Sequence, residues 1–114
     1  MSDCIFCKII NNEIPCEKIY EDDKVISFKD ISPAAPVHIL IIPKKHITSI
    51  NEMSEEHIEL IGHIFVVAKM LAKQLGISEN GYRIVNNCGE QAGQTVKHVH
   101  FHMLGGRNLN WPPG

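Results

Sequence analysis

The stretch His98-Val99-His100-Phe101-His102-Met103-Leu104 decides the fold that we expect of this chain. Side chains on a β-strand point alternately to the two faces of a sheet. The three histidines of a strand over 98–104 therefore share one face, and Val99, Phe101 and Met103 share the other. We predict a strand here, with its apolar face in the core.

Three imidazoles in a row are hard to explain by packing alone, because imidazole is polar. One metal ion cannot bind all three. Successive residues on one face lie about 6.6 Å apart, whereas zinc–nitrogen bonds are about 2.1 Å long. Two neighbouring histidines could still share a metal. Imidazole is also a nucleophile that titrates near neutrality, so the row fits phosphoryl or nucleotidyl transfer.

The segment directly before this strand, 87–95, contains two glycines and several neutral hydrogen-bonding side chains. Glycine lets the backbone approach a ligand closely, and exposed amides in such a loop can hold an anion. Loops of this composition are often only turns. Its position directly before the histidine strand nevertheless favours a phosphate site.

The remaining elements predict an α+β fold, in which an antiparallel sheet is covered by one main helix. We expect a short helix over 4–11, a hairpin over 19–28, a buried strand over 37–42 and a strand over 82–85. The long helix is predicted over 54–75, with Ser54 as its N-cap. Its apolar residues at spacings of three and four are expected to face the core. They are Ile58, Ile61, Phe65, Ala68, Leu71 or Ala72, and Leu75.

Composition bounds the class of protein. A chain of 114 residues fits one domain, here 1–114, and 44% hydrophobic with 21% charged residues is typical of soluble globular proteins. The net charge of −2 argues against a nucleic-acid partner, which needs many cations. No apolar run approaches the roughly 20 residues that span a bilayer, and the start lacks a secretory signal. We therefore expect no membrane partner and a cytoplasmic protein with reduced or metal-bound cysteines.

The histidine segment resembles the signature of the histidine triad family, His-x-His-x-His followed by two apolar positions. The likeness extends along nearly the whole chain. It includes Asp30-Ile31-Ser32-Pro33, Ala35-Pro36-Val37-His38, Ile42-Pro43-Lys44-Lys45-His46 and Gly93-Gln94-Thr95-Val96. Leu104-Gly105-Gly106-Arg107 and Trp111-Pro112-Pro113-Gly114 are similar to the Hint branch in particular.

This resemblance implies a five-stranded antiparallel sheet with one long and one short helix, and a homodimer whose sheets join. It also implies an enzyme that hydrolyses purine nucleoside 5′-phosphoramidates, such as adenosine or guanosine 5′-phosphoramidate and nucleotidyl-lysine. In that reaction a histidine attacks the α-phosphate, the amine leaves, and water releases the nucleoside monophosphate, AMP or GMP. The sequence gives no preference between adenine and guanine.

The resemblance also assigns roles to residues. The catalytic group comprises His100 as nucleophile, His102 on the leaving-group side, and His38 as their support. The ribose is assigned to Asp30, the base pocket to Ile31, and the border of the leaving group to Trp111. The α-phosphate is assigned to Asn87, Gly93, Gln94 and Thr95.

The Cys4-x-x-Cys7 spacing is common in zinc sites, but alone it also fits two buried cysteines. In many prokaryotic members of the family this motif is joined by two histidines, which correspond to His46 and His98 here. The resemblance therefore implies a structural zinc ion held by all four residues. Cys16 and Cys88 receive no role.

Two other functions remain open. One is dinucleoside polyphosphate hydrolysis, as in a sister branch, although the terminal Trp-Pro-Pro-Gly is typical of the Hint branch. The other is a zinc-bound nucleotide-binding or interaction module with little turnover. A row of three histidines disfavours the second, because nucleotide binding alone does not require it.

Overall fold

The computed structural model describes residues 3–114 and contains one five-stranded antiparallel sheet. The strands lie in the order β1-β2-β3-β5-β4. The helices are α1 (Ile5–Ile10) and α2 (Ile58–Gln74), and the strands are β1 (Lys18–Glu21), β2 (Val25–Lys29), β3 (Val37–Pro43), β4 (Tyr82–Val85) and β5 (Phe101–Gly105). Short 3₁₀ turns cover Ile50–Glu52, Glu55–His57 and Glu90–Ala92. The predicted α+β fold, with one long and one short helix, is confirmed.

The sheet has a core on each face, which explains why β3 is almost continuously apolar. On the α2 face, Ile39 and Ile41 pack with Phe101 and Met103 of β5. On the other face, Leu40 belongs to a second cluster that is closed by α1. The members of that second cluster are Phe6, Ile9, Ile26, Phe28, Leu40 and Ile42. The histidines lie on this α1 face.

The predicted strand over 98–104 begins later than expected, at Phe101. The β3–β5 ladder ends at the Ile41–Phe101 pair. Pro43 has no N–H to continue it, and the amide of Val99 donates instead to the carbonyl of Ile47 at 2.7 Å. The alternation of faces nevertheless continues, since Val99 lies in the α2-side core.

The long helix was predicted at the right place, but part of its core stripe was wrong. Ala68, Leu71 and Ala72 are buried as expected, whereas Ile58 is 64% exposed. Phe65 is 45% exposed, although its ring still packs against Phe101 with centroids 5.8 Å apart. Two further residues, Ile64 and Val67, complete the buried face. The helix is apolar over more than one face, so spacing alone could not show which stripe meets the sheet.

The start of the helix uses a cap that the sequence did not reveal. Ser54 precedes a 3₁₀ turn rather than α2 itself, and its amide donates to Nδ1 of His57 at 3.1 Å. His57 is buried, although a histidine at a helix start usually faces solvent. The 3₁₀ turn explains why regular helix begins only at Ile58.

Asp22 ties α2 to the β1–β2 turn. Its carboxylate accepts hydrogen bonds from the Tyr20 hydroxyl and contacts Nε2 of His63, both at 2.7 Å. It also accepts from the amides of Lys24 and Val25. Burial opposes the charged form, but these hydrogen bonds outweigh it and hold the pKa of Asp22 below its usual range.

Within residues 3–114, no helix is both long enough and apolar enough to cross a membrane.

Candidate active site and metal centre

Two clusters of possible ligand atoms lie on the α1 face of the sheet. Within each cluster, the nitrogen, sulfur or oxygen atoms all lie within 4.8 Å of one another. The first comprises Cys4, Cys7, His46 and His98, and the second comprises Asp30, His38 and His102. Their hydrogen bonds distinguish the two clusters: the first suits a metal ion, and the second favours proton handling.

The first cluster forms where α1 meets the strand end before β5. Cys4 is the N-cap of α1, and its Sγ accepts from the amide of Cys7 at 3.4 Å. This places both sulfurs on one turn. Cys7 Sγ lies 3.3 Å from Nδ1 of His46, and Cys4 Sγ lies 3.4 Å from Nδ1 of His98. The predicted convergence of all four residues is confirmed.

His98 presents an electron pair to this cluster. Its Nε2 lies 2.8 Å from the carbonyl oxygen of Pro43, which can only accept, so Nε2 carries the proton and Nδ1 does not. Burial lowers the pKa of His98, which also favours the neutral ring. Nδ1 of His46 and Nδ1 of His98 are 3.1 Å apart. Around tetrahedral zinc, two nitrogens lie about 3.3 Å apart, and nitrogen and sulfur about 3.6 Å apart. The observed spacings fit such an ion.

The second cluster is a hydrogen-bond relay. The amide of Ala34 donates to Nδ1 of His38 at 3.0 Å, so the proton of a neutral His38 is on Nε2. That Nε2 lies 2.9 Å from Nδ1 of His102 and 3.4 Å from Oδ2 of Asp30. A metal at Nε2 of His38 would displace this proton while Nδ1 stays occupied. The arrangement therefore favours proton handling over metal binding.

The relay fixes the tautomer of His102. Because Nδ1 of His102 accepts the Nε2 proton of His38, the proton of a neutral His102 is on Nε2. Burial lowers the pKa of His102, and the nearby His100 and His38 lower it further, against the opposing effect of Asp30. His102 thus offers an N–H donor from its far side.

His100 is held in the opposite tautomer. Its Nδ1 donates to the carbonyl oxygen of His98 at 2.8 Å, which leaves an unprotonated Nε2. The Phe6 ring packs nearly perpendicular to the imidazole, with centroids 5.1 Å apart. Asn86 Nδ2 donates to the backbone carbonyl of His100 at 2.9 Å. The sequence did not single out Asn86, because nothing distinguishes it from the neighbouring Asn87.

A cleft of about 700 Å³ opens beside these histidines. Five of the predicted site residues line it, namely Asp30, Ile31, Thr95, His100 and His102. Phe6, Ile9, Phe28 and Leu40 make much of its wall apolar. Ile31 is 97% exposed, so it stands at the rim. Oδ1 of Asp30 accepts from the amide of Ser32 at 2.8 Å, while Oδ2 faces His38.

The loop predicted to hold phosphate is braced by Gln94. Its Oε1 accepts from the amide of Gly89, and its Nε2 donates to the carbonyls of Thr48 and Val96. The side chain is therefore engaged within the loop, and its backbone remains for a ligand. Gly93 has a φ of +83°, which glycine adopts without strain.

The other five predicted catalytic and nucleotide-binding residues do not line this cleft, namely His38, Asn87, Gly93, Gln94 and Trp111. Asn87 lines a second cleft, which lies on the same face of the sheet next to β4 and β5. Trp111 is 80% exposed, and its ring lies 6.0 Å from the guanidinium carbon of Arg83. Neither residue lines the first cleft.

Known proteins are similar to this chain in sequence and in fold. A family model described as "Scavenger mRNA decapping enzyme C-term binding" matches residues 3–109. A histidine triad protein from Clostridium difficile has a TM-score of 0.93 and 48% identity, with 96% of each chain covered. The chain belongs to the histidine triad family. A further structure of this family, a hydrolase from Legionella pneumophila, has a TM-score of 0.97 and 50% identity, and covers 98% of this chain and 100% of its own.

Two further relatives have more specific names. A protein of Zea mays named "14 kDa zinc-binding protein" is 53% identical over 115 residues, which cover 99% of this chain and 89% of the relative. A protein of Arabidopsis thaliana named adenylylsulfatase HINT1 is 50% identical over 115 residues, which cover 99% of this chain and 78% of the relative.

Proposed function

We propose that this chain hydrolyses purine nucleoside 5′-phosphoramidates through a covalent nucleotidyl intermediate on His100. Relatives of the same family that match 98–99% of this chain support a nucleotide hydrolase in general. The observation that carries the finer proposal is the tautomer of His100. Its Nδ1 proton is bound by the His98 carbonyl, so the Nε2 electron pair is available beside the cleft.

In the first step, Nε2 of His100 forms a bond to the α-phosphorus and the bond from phosphorus to the amine breaks. The departing nitrogen takes up a proton from water in the open cleft, while the Nε2–H of neutral His102 donates a hydrogen bond on the leaving-group side of the phosphate. The hydrogen bond from Nε2 of His38 to Nδ1 of His102 keeps the His102 proton on Nε2. In the second step, water forms a bond to phosphorus, the bond to His100 breaks, and a proton of the water passes to solvent. The products are a nucleoside monophosphate and a free amine.

The substrate is held around this centre by groups with separate tasks. Asp30 accepts from the ribose hydroxyls, since a carboxylate can accept two hydrogen bonds. Ile31 and the apolar wall contact the purine. Neutral donors of the loop stabilise the α-phosphate as its charge shifts, and Trp111 borders the leaving group. The loop residues are Asn87, Gly93, Gln94 and Thr95.

We further propose that Cys4, Cys7, His46 and His98 hold a structural zinc ion. The two thiols and two imidazoles are typical zinc ligands, their spacing fits, and a close relative is named for zinc binding. The ion would join α1 to the sheet. It would also fix His98, whose carbonyl orients the nucleophile.

A homodimer is supported by the exposed apolar stripe on α2. Its members, Ile58, Phe65, Val66 and Met70, are between 40% and 65% exposed. Such a stripe on one helix marks a contact surface. Sedimentation of the wild type and of Phe65→Glu tests this: a dimer is expected for the first and a monomer for the second.

The test of the activity is hydrolysis of adenosine 5′-phosphoramidate by the wild type, His100→Ala and, as a control, His63→Gln. Removal of a nucleophile is expected to lower kcat at least about 10³-fold, and the control should stay near wild type. Circular dichroism checks that each variant folds. Full activity in His100→Ala would contradict the mechanism. A folded wild type that binds the nucleotide without turnover would favour the binding module.

A second candidate substrate is adenylyl sulfate, which the name of the Arabidopsis relative favours. The same attack by His100 would release sulfate in place of the amine. The ratio of kcat/KM for the two substrates decides between them. Dinucleoside polyphosphates belong in the same comparison.

A further inference from the structure

The second cleft, of about 800 Å³, continues the histidine face of the sheet beyond β5. In the antiparallel ladders, Arg83 pairs with Leu104 and Val85 pairs with His102. Directly paired residues project from the same face of a sheet. Arg83 therefore stands on the face that carries His102, one strand across and two residues along. That offset corresponds to about 8 Å between Cα atoms.

The direction of the proposed reaction leads to this cleft. In phosphoryl transfer the leaving group departs roughly in line with the nucleophile and opposite to it. Along β5 the order on one face is His100, His102, Leu104. With the nucleoside in the cleft beside Asp30 and the phosphate between His100 and His102, the leaving group extends past His102 towards Leu104 and Arg83.

The charge of the cleft favours an anion. Two arginines, Arg83 and Arg107, line it, and among residues 3–114 no acidic side chain does so. The terminal residue Gly114 lines it too, and its α-carboxylate offsets only one of the two positive charges. Arg107 is occupied, because it donates to the backbone carbonyls of Ala34 and Asn108. Arg83 differs. Within the described part of the chain its guanidinium has no ion pair, and its contact is the ring of Trp111.

We propose that Arg83 selects leaving groups that carry an anionic group, such as the carboxylate of an amino acid. The inference rests on the proposed function, because it assigns the leaving-group side of that site. Arginine suits the task, since its planar fork binds a carboxylate through two hydrogen bonds. The Trp111 ring supports the guanidinium from one face and leaves its N–H edges available.

The test compares two adenosine 5′-phosphoramidates whose leaving amines are β-alanine and β-alaninamide. They have the same length and differ in the charge at the far end. Arg83→Gln is expected to lower kcat/KM for the β-alanine substrate about five- to tenfold and to leave the β-alaninamide substrate unchanged. Arg83→Lys should retain part of the preference. In the wild type, the ratio of kcat/KM for the β-alanine substrate to that for the β-alaninamide substrate should fall as salt is added.

Lys69→Gln is the matched control, because Lys69 is an exposed cation on α2 and its loss changes the net charge equally. It should leave the ratio of the two substrates at the wild-type value. An unchanged ratio in Arg83→Gln, or an equal loss on both substrates, would overturn the role of Arg83. Absence of turnover by the wild type on both substrates would instead contradict the proposed function itself.

Discussion

Phe6 is the side chain that joins the short helix to both histidine sites, and its truncation should be costly. The side chain is 6% exposed. Its ring packs edge-on against Phe28, His98 and His100, with centroid distances of 5.7, 5.9 and 5.1 Å. Truncation of a buried phenylalanine to alanine typically costs about 3–5 kcal/mol. Because α1 lies at the surface and can move inward, we expect Phe6→Ala to lose about 3 kcal/mol.

Urea unfolding at one protein concentration, with excess zinc, measures this loss. Ile5→Ala is the control on the same helix, because Ile5 is 45% exposed and should lose less than about 1 kcal/mol. With a chelator, α1 can open without the sheet, so the cost of Phe6→Ala to global unfolding should shrink. A cost below about 1 kcal/mol in the zinc-loaded protein would refute this account of α1.

Three further predictions concern other parts of the molecule. Asp22→Asn should lower the free energy of unfolding by about 1–2 kcal/mol at pH 7 in urea. Folding lowers the pKa of Asp22, so the difference in the free energy of unfolding between wild type and variant should be full above the unfolded pKa, about 3.9. It should shrink as the pH falls towards the folded pKa, and a difference that increases at low pH would contradict this account. Gly105→Ala places a Cβ 2.8 Å from Cδ1 of Ile77, so we expect it to lower the free energy of unfolding by about 1–3 kcal/mol and to lower Tm in a thermal melt. An unchanged Tm would show that the Ile77 side chain can move aside without cost. Cys7→Ser should lower the zinc content found by elemental analysis, which is one ion per chain in the proposed site, and retention of full zinc would exclude Cys7 as a ligand.

The sequence predicted the structure correctly where a single periodicity of apolar residues determines which side chains are buried. Alternation over 98–104 placed Val99, Phe101 and Met103 in the core and the histidines opposite, and this holds although the ladder begins only at Phe101. The positions of α1 and α2 followed from apolar spacing and breakers, although regular helix begins at Ile58 rather than at the predicted residue 54. Apolar periodicity and helix breakers are local signals, so they can be recognised in a single sequence.

Sequence reasoning failed where tertiary contacts decided. The stripe of α2 that meets the sheet could not be chosen from spacing, because apolar residues such as Ile58 and Val66 are exposed on the same helix. The tautomers of His98 and His100 depend on two carbonyls, those of Pro43 and His98, whose positions only the fold supplies. Arg83 shares a face with His102 through register between strands distant in sequence.

The central claim is a covalent bond between Nε2 of His100 and the nucleotide. The most direct test is to mix the wild type with an adenosine phosphoramidate labelled in its phosphate, quench within one turnover, and map the label by peptide mass spectrometry. The account predicts one nucleoside monophosphate group on His100, formed and lost at rates that support turnover. Rapid turnover without label on the protein, or label on His102 instead of His100, would contradict it.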